Sequence, residues 1–337
     1  MTPSLELDQN TRMLVIAPHP DDETLATGEL IQAALAAGAR LRVVIATDGD
    51  NNPWPQRWIE KRWRIDASAR ARWGKRRQTE ASMALARLGV AAQDVRCLGW
   101  PDQGITALLM RDSAATLQLA DEIRDFVPNL IIAPSRTDLH PDHNAMNVML
   151  ELALAESNLS ACQRFGYVVH GNLSAENLIA LPADHERSRV KVDAMRMHAS
   201  QMVLSEKRMA RLGQRPEQFE TTDAKIDRDT KPCTLEWRMP LPSTVPGLHR
   251  HALYLIVETE GPLIRAKIAL PWRLSSTKLE MTIGKDKAVD AAVSSEASGL
   301  TVKLTAARPI RRAFAKIERL GARILIYDSQ GWMKKTG

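Results

Sequence analysis

Short runs of uninterrupted apolar residues alternate with longer helix-forming stretches along the first half of the chain. Residues 13–17 (MLVIA), 41–46 (LRVVIA), 95–98 (VRCL) and 130–133 (LIIA) read as strands, because they are short, mostly apolar and bounded by turn residues such as Pro18, Asp48-Gly49-Asp50 and Pro134. Between them, residues 23–35, 76–88 and 114–126 read as helices of good formers, the first closed by Gly38 and the second by Gly89. Strands that are apolar throughout must be covered on both faces, so the pattern predicts an α/β fold: a Rossmann-like, mostly parallel sheet with helices on both faces. Such sheets hold their ligands at the carboxyl ends of the strands, which says where chemistry is to be sought.

One more helical stretch, residues 190–211, carries Ala194, Met195, His198 and Met202. Beyond the polar stretch 221–231 the pattern changes. Residues 253–259, 263–269, 278–282, 300–305 and 323–327 are short strand-like runs split by Gly, Pro and Ser, which predicts a smaller β-rich domain, a sandwich or an open sheet. The division expected is therefore 1–225 for the α/β domain and 226–337 for a β-rich accessory domain.

Composition narrows the class. Hydrophobic residues at 44% and charged residues at 26% exclude a collagen-like or wholly disordered chain. No run of 18 apolar residues is present, so no transmembrane helix is expected, and the polar start with Glu6 and Asp8 lacks the order of a secretory signal. Cys97, Cys162 and Cys233 are odd in number and far apart, which argues for buried or inert thiols in a cytoplasmic protein. The formal charge of +6 is local. Residues 54–77 hold nine basic residues against two acidic ones, a net +7 that exceeds the whole-chain surplus. An anion-facing patch describes the chain better than a basic coat.

Two clusters stand at predicted strand ends. Pro18-His19-Pro20-Asp21-Asp22-Glu23 follows the first strand, and Asp138-Leu139-His140-Pro141-Asp142-His143 follows the fourth. Each gathers His and Asp within a few residues, the chemistry of a metal site built from nitrogen and oxygen ligands. An Asp at a helix start is often only a cap, and His-Pro-Asp occurs in ordinary turns. Two such clusters at the ends of one sheet are harder to explain that way. A catalytic zinc keeps one position for water and lowers its pKa to about 7, after which a neighbouring carboxylate can act as general base. His and Asp ligands also suit another divalent metal such as iron or manganese.

These residues, Ala17 to Glu23 together with His140-Pro141-Asp142-His143, resemble the PIG-L/LmbE-like family of zinc-dependent N-acetylglucosamine de-N-acetylases. Thr47-Asp48-Gly49, Arg77-Gln78-Thr79-Glu80, Gly99-Trp100-Pro101-Asp102, Lys191 and His198-Ala199-Ser200-Gln201 extend the likeness over residues 12–204. The resemblance implies that zinc is held by His19, Asp22 and His143, with Asp21 as general base. It implies that His140 stabilises the oxyanion or protonates the leaving amine, oriented by Asp142, and that Arg77 and Asp102 contact the sugar or its anionic substituent. The implied reaction removes the acetyl group from an N-acetylated amino sugar in a cell-surface glycan or glycolipid precursor, lipopolysaccharide-like in kind. The alternative is a small-molecule glycoside, a thiol cofactor precursor or a secondary metabolite.

The stretch after Asp50 departs from the family pattern, since Asn51-Asn52-Pro53-Trp54-Pro55 lacks a second glycine. It opens the basic segment, which also holds Trp54, Trp58, Trp63 and Trp73. Read as one helix, the segment places Trp58, Ile65, Ala69 and Trp73 on one side, and it is expected either to pack on the core or to wall a cleft for an anionic, sugar-bearing substrate. Cations mixed with aromatics also hold single-stranded nucleic acid, the reading from another class. The candidate metal ligands argue against it, so no nucleic-acid partner is expected, and membrane contact is at most peripheral. His170, at a further strand end, is a candidate for the site. His198 reads as a helix residue with local hydrogen bonds, His249 and His251 as surface, and Arg308, Arg311, Arg312 and Lys316 as a solvated helix face.

Overall fold

The computed structural model describes residues 5–159, 162–173, 178–222, 233–240, 250–271, 278–284, 288–296, 299–320, 327–328 and 330–336. They form two compact units. The first comprises Met1–Thr106, Ser113–Asp138 and Asp142–Ala224, and the second comprises Ala107–Asp112, Leu139–Pro141 and Lys225–Gly337.

The first unit is built on a sheet of seven strands among the described residues: β1 (Arg12–Ala17), β2 (Arg40–Thr47), β3 (Val95–Trp100), β4 (Leu130–Pro134), β5 (Gln163–Tyr167), β6 (Leu178–Ala180) and β7 (Gln218–Thr221). Their order is β3-β2-β1-β4-β5-β7-β6; the first five run parallel, and β7 pairs antiparallel with both β5 and β6. β1 is central, with Val15 opposite Val43 of β2 on one side and Ile132 of β4 on the other. Met13, Val15 and Ala17 join one core with Leu30 and Ile31 of α1 (Asp22–Ala36), Ala84 and Leu85 of α3 (Ala67–Arg87), and Ala194 and Met195 of α7 (His185–Met197). Leu14 and Ile16 point to the opposite face and are fully buried too, which is why β1 alternates with nothing polar. Each such side chain contributes about 1.5–3 kcal/mol by leaving water.

In the basic segment the chain departs from its pattern because of caps. The basic segment is two helices, α2 (Pro53–Glu60) and α3, not one. Lys61 ends α2 in the left-handed region at φ 49°, and Asp66 starts α3 by accepting from Ala69 N. Trp73 is buried on α3, whereas Trp54, Trp58 and Trp63 are exposed. The stretch 190–211 likewise resolves into α7, α8 (Ala199–Met202) and α9 (Glu206–Gly213). Three further helices, α4 (Ile105–Arg111), α5 (Ala114–Phe126) and α6 (Pro141–Ser157), complete the described set.

The second unit is a β-sandwich. One sheet has the order β10-β9-β14-β15, from Ile264–Ala269, His251–Glu258, Arg312–Arg319 and Met333–Thr336; the other is β11-β12-β13-β8, from Lys278–Ile283, Val289–Glu296, Gly299–Ala306 and Thr234–Met239. Leu253, Leu255 and Val257 from the first sheet share a core with Trp237, Val293 and Val302 from the second. The solvated helix expected around Arg312 and Lys316 is the strand β14 instead. Lys316 is fully buried against Asp328 at 2.6 Å and Glu318 at 3.3 Å, and Arg312 pairs with Glu258. His251 is buried on β9, not at the surface, while His249 and most of the strand expected at 323–327 lie outside the described residues. Cys97, Cys162 and Cys233 are free thiols, Cys97 and Cys233 exposed and Cys162 half-buried.

Candidate active site

The loop 18–21 leaves β1 at its carboxyl end and enters α1 at once, so His19, Asp21 and Asp22 are presented at the crevice between β1 and β4. Asp22 is nearly fully buried, and its Oδ2 is the hub. It accepts from His19 N at 2.9 Å and lies 3.1 Å from His19 Nδ1 and 3.0 Å from His143 Nε2. His143, on the first turn of α6, turns its Nδ1 to Asp138 Oδ2 at 3.1 Å. That carboxylate also accepts from Val169 N and His170 N at 2.8 and 3.1 Å, tying the ends of β4 and β5 together.

Asp21 faces the other way. Its carboxylate accepts from Arg77 Nη2 at 3.0 Å, and its backbone N donates to Glu23 Oε2 at 3.0 Å. Its φ of 124° is one that a side chain disfavours, worth about 1–3 kcal/mol of strain, and these two contacts hold it there. Arg77 is buried and also donates to Gly49 O and Pro20 O. A side chain at Gly49 would collide with that guanidinium at 1.8 Å, so Gly49 leaves room for the arginine. Arg77 thus grips the Asp21 loop. Asp102, at the end of β3, sits 3.3 Å from His19 Nε2 and accepts from Asn51 N at 2.7 Å. Asp142 lies 3.2 Å from the same His19 nitrogen and accepts from Gln103 N and Ile105 N. His140 is buried in the stretch 139–141, which groups with the second unit, two residues ahead of Asp142.

Burial drives the electrostatics. It pushes Asp21 up to about 6, with Asp22 adding to the rise and Arg77 opposing it. Burial alone would raise Asp22 as well, but His143 and His19 overcome it and hold that carboxyl well below the usual range. His143 reaches about 10 because Asp138 and Asp22 outweigh its burial. Glu23, buried beneath the loop, is pushed up to about 8.

Four residues matter here that the sequence did not single out or left open. Asp138 and Glu23 belong to the two motif runs, but only the fold reveals what they support. His170 brings its ring within 5.1 Å of the His143 ring, and Arg208 donates to its Nδ1 at 3.1 Å. A guanidinium only donates, so Nδ1 is the accepting nitrogen. Burial, followed by His143 and Arg208, pulls His170 down to about 4. His198 is fixed by a residue far away in sequence, not locally: its Nε2 lies 3.2 Å from Thr24 Oγ1 and 3.5 Å from Glu23 Oε1.

The donor set suits a divalent metal. Asp138 favours a proton on His143 Nδ1, which leaves the Nε2 lone pair facing a carboxylate oxygen of Asp22 at 3.0 Å. Two acceptors that close need a cation between them, either a proton or a metal ion. Asp22, His143 and His170 form one group whose ligand atoms lie within 4.8 Å of one another, and His19, Asp102 and Asp142 form another.

Residues 14–154, which run from β1 through most of α6, match the family described as PIG-L: GlcNAc-PI de-N-acetylase. The 1D-myo-inositol 2-acetamido-2-deoxy-alpha-D-glucopyranoside deacetylase of Mycolicibacterium vanbaalenii is 30% identical over 206 residues, covering 55% of this chain and 69% of that protein. The chain belongs to the PIG-L family. A second PIG-L relative, the deacetylase of the same description from Mycobacterium avium, is 33% identical over 151 residues, 40% of this chain and 48% of that one. Among solved structures, the zinc inhibited form of teicoplanin deacetylase Orf2 is 19% identical, with a TM-score of 0.48, over 64% of this chain and 100% of that chain. The conserved protein TT1542 from Thermus thermophilus is 22% identical, with a TM-score of 0.47, over 64% and 96%. The PIG-L match of residues 14–154 spans His19, Asp21, Asp22, Arg77, Asp102, Asp138 and His143, and ends before His170.

Proposed function

We propose that this chain is a metal-dependent hydrolase that removes the N-acetyl group from an N-acetylated amino sugar, releasing acetate and a free amine. The observation that carries the reading is the opposed orientation of two adjacent carboxylates. Asp22 turns inward to His19 and His143, and Asp21 turns to Arg77 with its pKa raised to about 6. His19, Asp22 and His143 would hold the metal, zinc by resemblance, and Asp138 would orient His143. The bound metal would polarise the amide carbonyl and ease deprotonation of the attacking water. Asp21 takes the proton from that water, a task suited to a base whose pKa lies near working pH. His140 returns a proton to the departing amine, with Asp142 close behind it in the chain. His170, its Nδ1 occupied by Arg208, offers Nε2–H as a hydrogen-bond donor toward the same centre. Arg77 acts through Asp21, and Asp102 through His19. Residues 1–225 would carry this chemistry, with 226–337 as the accessory domain.

The substrate class is an N-acetylglucosaminide. The inositol glycoside in the names of the mycobacterial relatives supports a small glycoside over a polymeric glycan precursor. A lipid-borne sugar remains the second reading, favoured by the exposed Trp/Arg surface of α2. The test is acetate release from a panel of soluble and lipid-linked N-acetylglucosaminides, with and without a chelator. Release that is insensitive to chelation would overturn the metal assignment. No release from any N-acetyl sugar by metal-loaded protein would overturn the reaction.

A further inference from the structure

The three most exposed large apolar side chains among the described residues are Trp63 at 77%, Trp58 at 68% and Trp54 at 54%, all in or just after α2. Single exposed apolar residues need no explanation, but three tryptophans within ten residues do. Their placement is fixed. Arg57 stacks on Trp54 at 4.8 Å and on Trp63 at 5.0 Å, while its Nε donates to Trp63 O at 3.0 Å. One guanidinium therefore pins the turn 61–64 back onto α2, and the rings stand outward from a rigid base.

The charge around them is compensated only in part, nine cations against two carboxylates over residues 54–77. The segment's two carboxylates are already engaged: Glu60 pairs with Arg72 at 3.2 Å, and Asp66 caps α3. Among the described residues no carboxylate lies within ion-pair distance of Lys61, Arg62 or Arg64, all exposed. The base of this platform is tied to the candidate active site, because Asn51 donates its N and Nδ2 to Asp102, which faces His19.

We propose that α2 and the turn 61–64 dock the protein on an anionic lipid surface, with Trp58 and Trp63 entering the headgroup region and Lys61, Arg62 and Arg64 facing lipid phosphates. Rings exposed by two thirds or more project outward, whereas a cleft wall or a nucleic-acid groove would enclose them. Stacking of bases also needs free ring faces, and Arg57 already occupies one face of Trp54 and one of Trp63. Tryptophan is suited to the membrane–water interface by its apolar body and polar N–H, and each basic residue near an anionic surface strengthens binding about fivefold. This assignment stands apart from the reaction proposed above; together with it, it places the site beside a membrane where a lipid-borne sugar would be met.

The test uses the full chain with vesicles of phosphatidylcholine alone and with about one third phosphatidylglycerol, at near-physiological salt of about 0.15 M. The expected result is sedimentation with the anionic vesicles only, with a blue shift of tryptophan emission. W58A/W63A and K61E/R64E should each bind roughly tenfold or more weakly, with unchanged circular dichroism and unchanged turnover of a soluble N-acetylglucosaminide. Absence of binding by the wild type, or equal binding by W58A/W63A, overturns the proposal. So does salt-dependent capture of a single-stranded oligonucleotide that W58A/W63A abolishes, or a dimer that W58A/W63A dissociates. Vesicle binding without turnover of any N-acetyl sugar would leave this proposal standing and defeat the catalytic one.

Discussion

Replacing Asp138 by Asn isolates the support behind His143. Asp138 Oδ2 accepts from His143 Nδ1, Val169 N and His170 N, three donors on one oxygen. The Asn amide oxygen can occupy that position, so the shape is kept and the negative charge is lost. A hydrogen bond from His143 to a charged acceptor is about twice as strong as one to a neutral acceptor, and losing such support costs roughly 10–100-fold in metal affinity, about 1.4–2.8 kcal/mol. A second effect accompanies it. His143 reaches about 10 chiefly because Asp138 and Asp22 outweigh its burial, so a metal binding at pH 8 must first displace a proton. Asp138→Asn lowers that pKa, and fewer protons leave on binding. Calorimetric zinc titration in buffers of different ionisation enthalpy reads both quantities, with a melting curve as control. Affinity within about threefold of wild type and equal proton release would show that Asp138 does not act through His143.

Asp21→Gly and Asp21→Ala both remove the base and its Arg77 contact, and both should abolish acetate release while retaining the metal. Glycine adopts φ 124° freely, so the Gly variant should be the more stable by about 1–2 kcal/mol in denaturant melts; equal stability would show that the backbone there stores no strain. Wild-type kcat/KM should fall as pH drops through about 6, where Asp21 takes up a proton. Because Arg77 opposes that raised value, Arg77→Met should move the limb to higher pH; an unmoved limb in the pH–rate profile would detach Arg77 from Asp21. In the sandwich, Lys316→Met removes the buried cation that faces Asp328 and Glu318 and should cost about 3–5 kcal/mol by thermal melting. Burial alone would lower the Lys316 pKa, but Asp328 and Glu318 raise it. A raised lysine stabilises fully below its unfolded value of about 10.4 and loses that contribution as pH climbs through the folded value, so the sandwich should weaken at alkaline pH in wild type and not in the variant.

The parallel sheet was legible because β1 after Arg12 and β4 throughout are apolar at successive positions, which only burial on both faces explains. His19, Asp22 and His143 were legible as chemistry because they fall at strand ends. The supporting residues were not, since support depends on who lies behind whom: His198 meets Thr24 across 174 positions, and Glu217 pairs with the fully buried Lys191. β14 was misread because its charged residues are neutralised by partners remote in sequence, Glu258 and Asp328, which makes Arg312 and Lys316 interior groups. The single helix drawn through residues 54–77 failed for a local reason, the Asp66 cap, whose side-chain acceptor was visible in the sequence but went unused.

The pairing of β1 with β4 also governs when the site can exist. Val15 waits for Ile132, and the four strand ends that carry His19, Asp102, His143 and His170 converge only after β5 has been made. At a synthesis rate of about 5–20 residues per second, roughly 150 residues separate Asp22 from His170, a delay of ~7–30 s. During that interval the nascent chain carries half of the proposed ligands and no cavity to place them in. On that ligand set a metal would not nucleate the fold; it would be loaded into a sheet that long-range closure has already built.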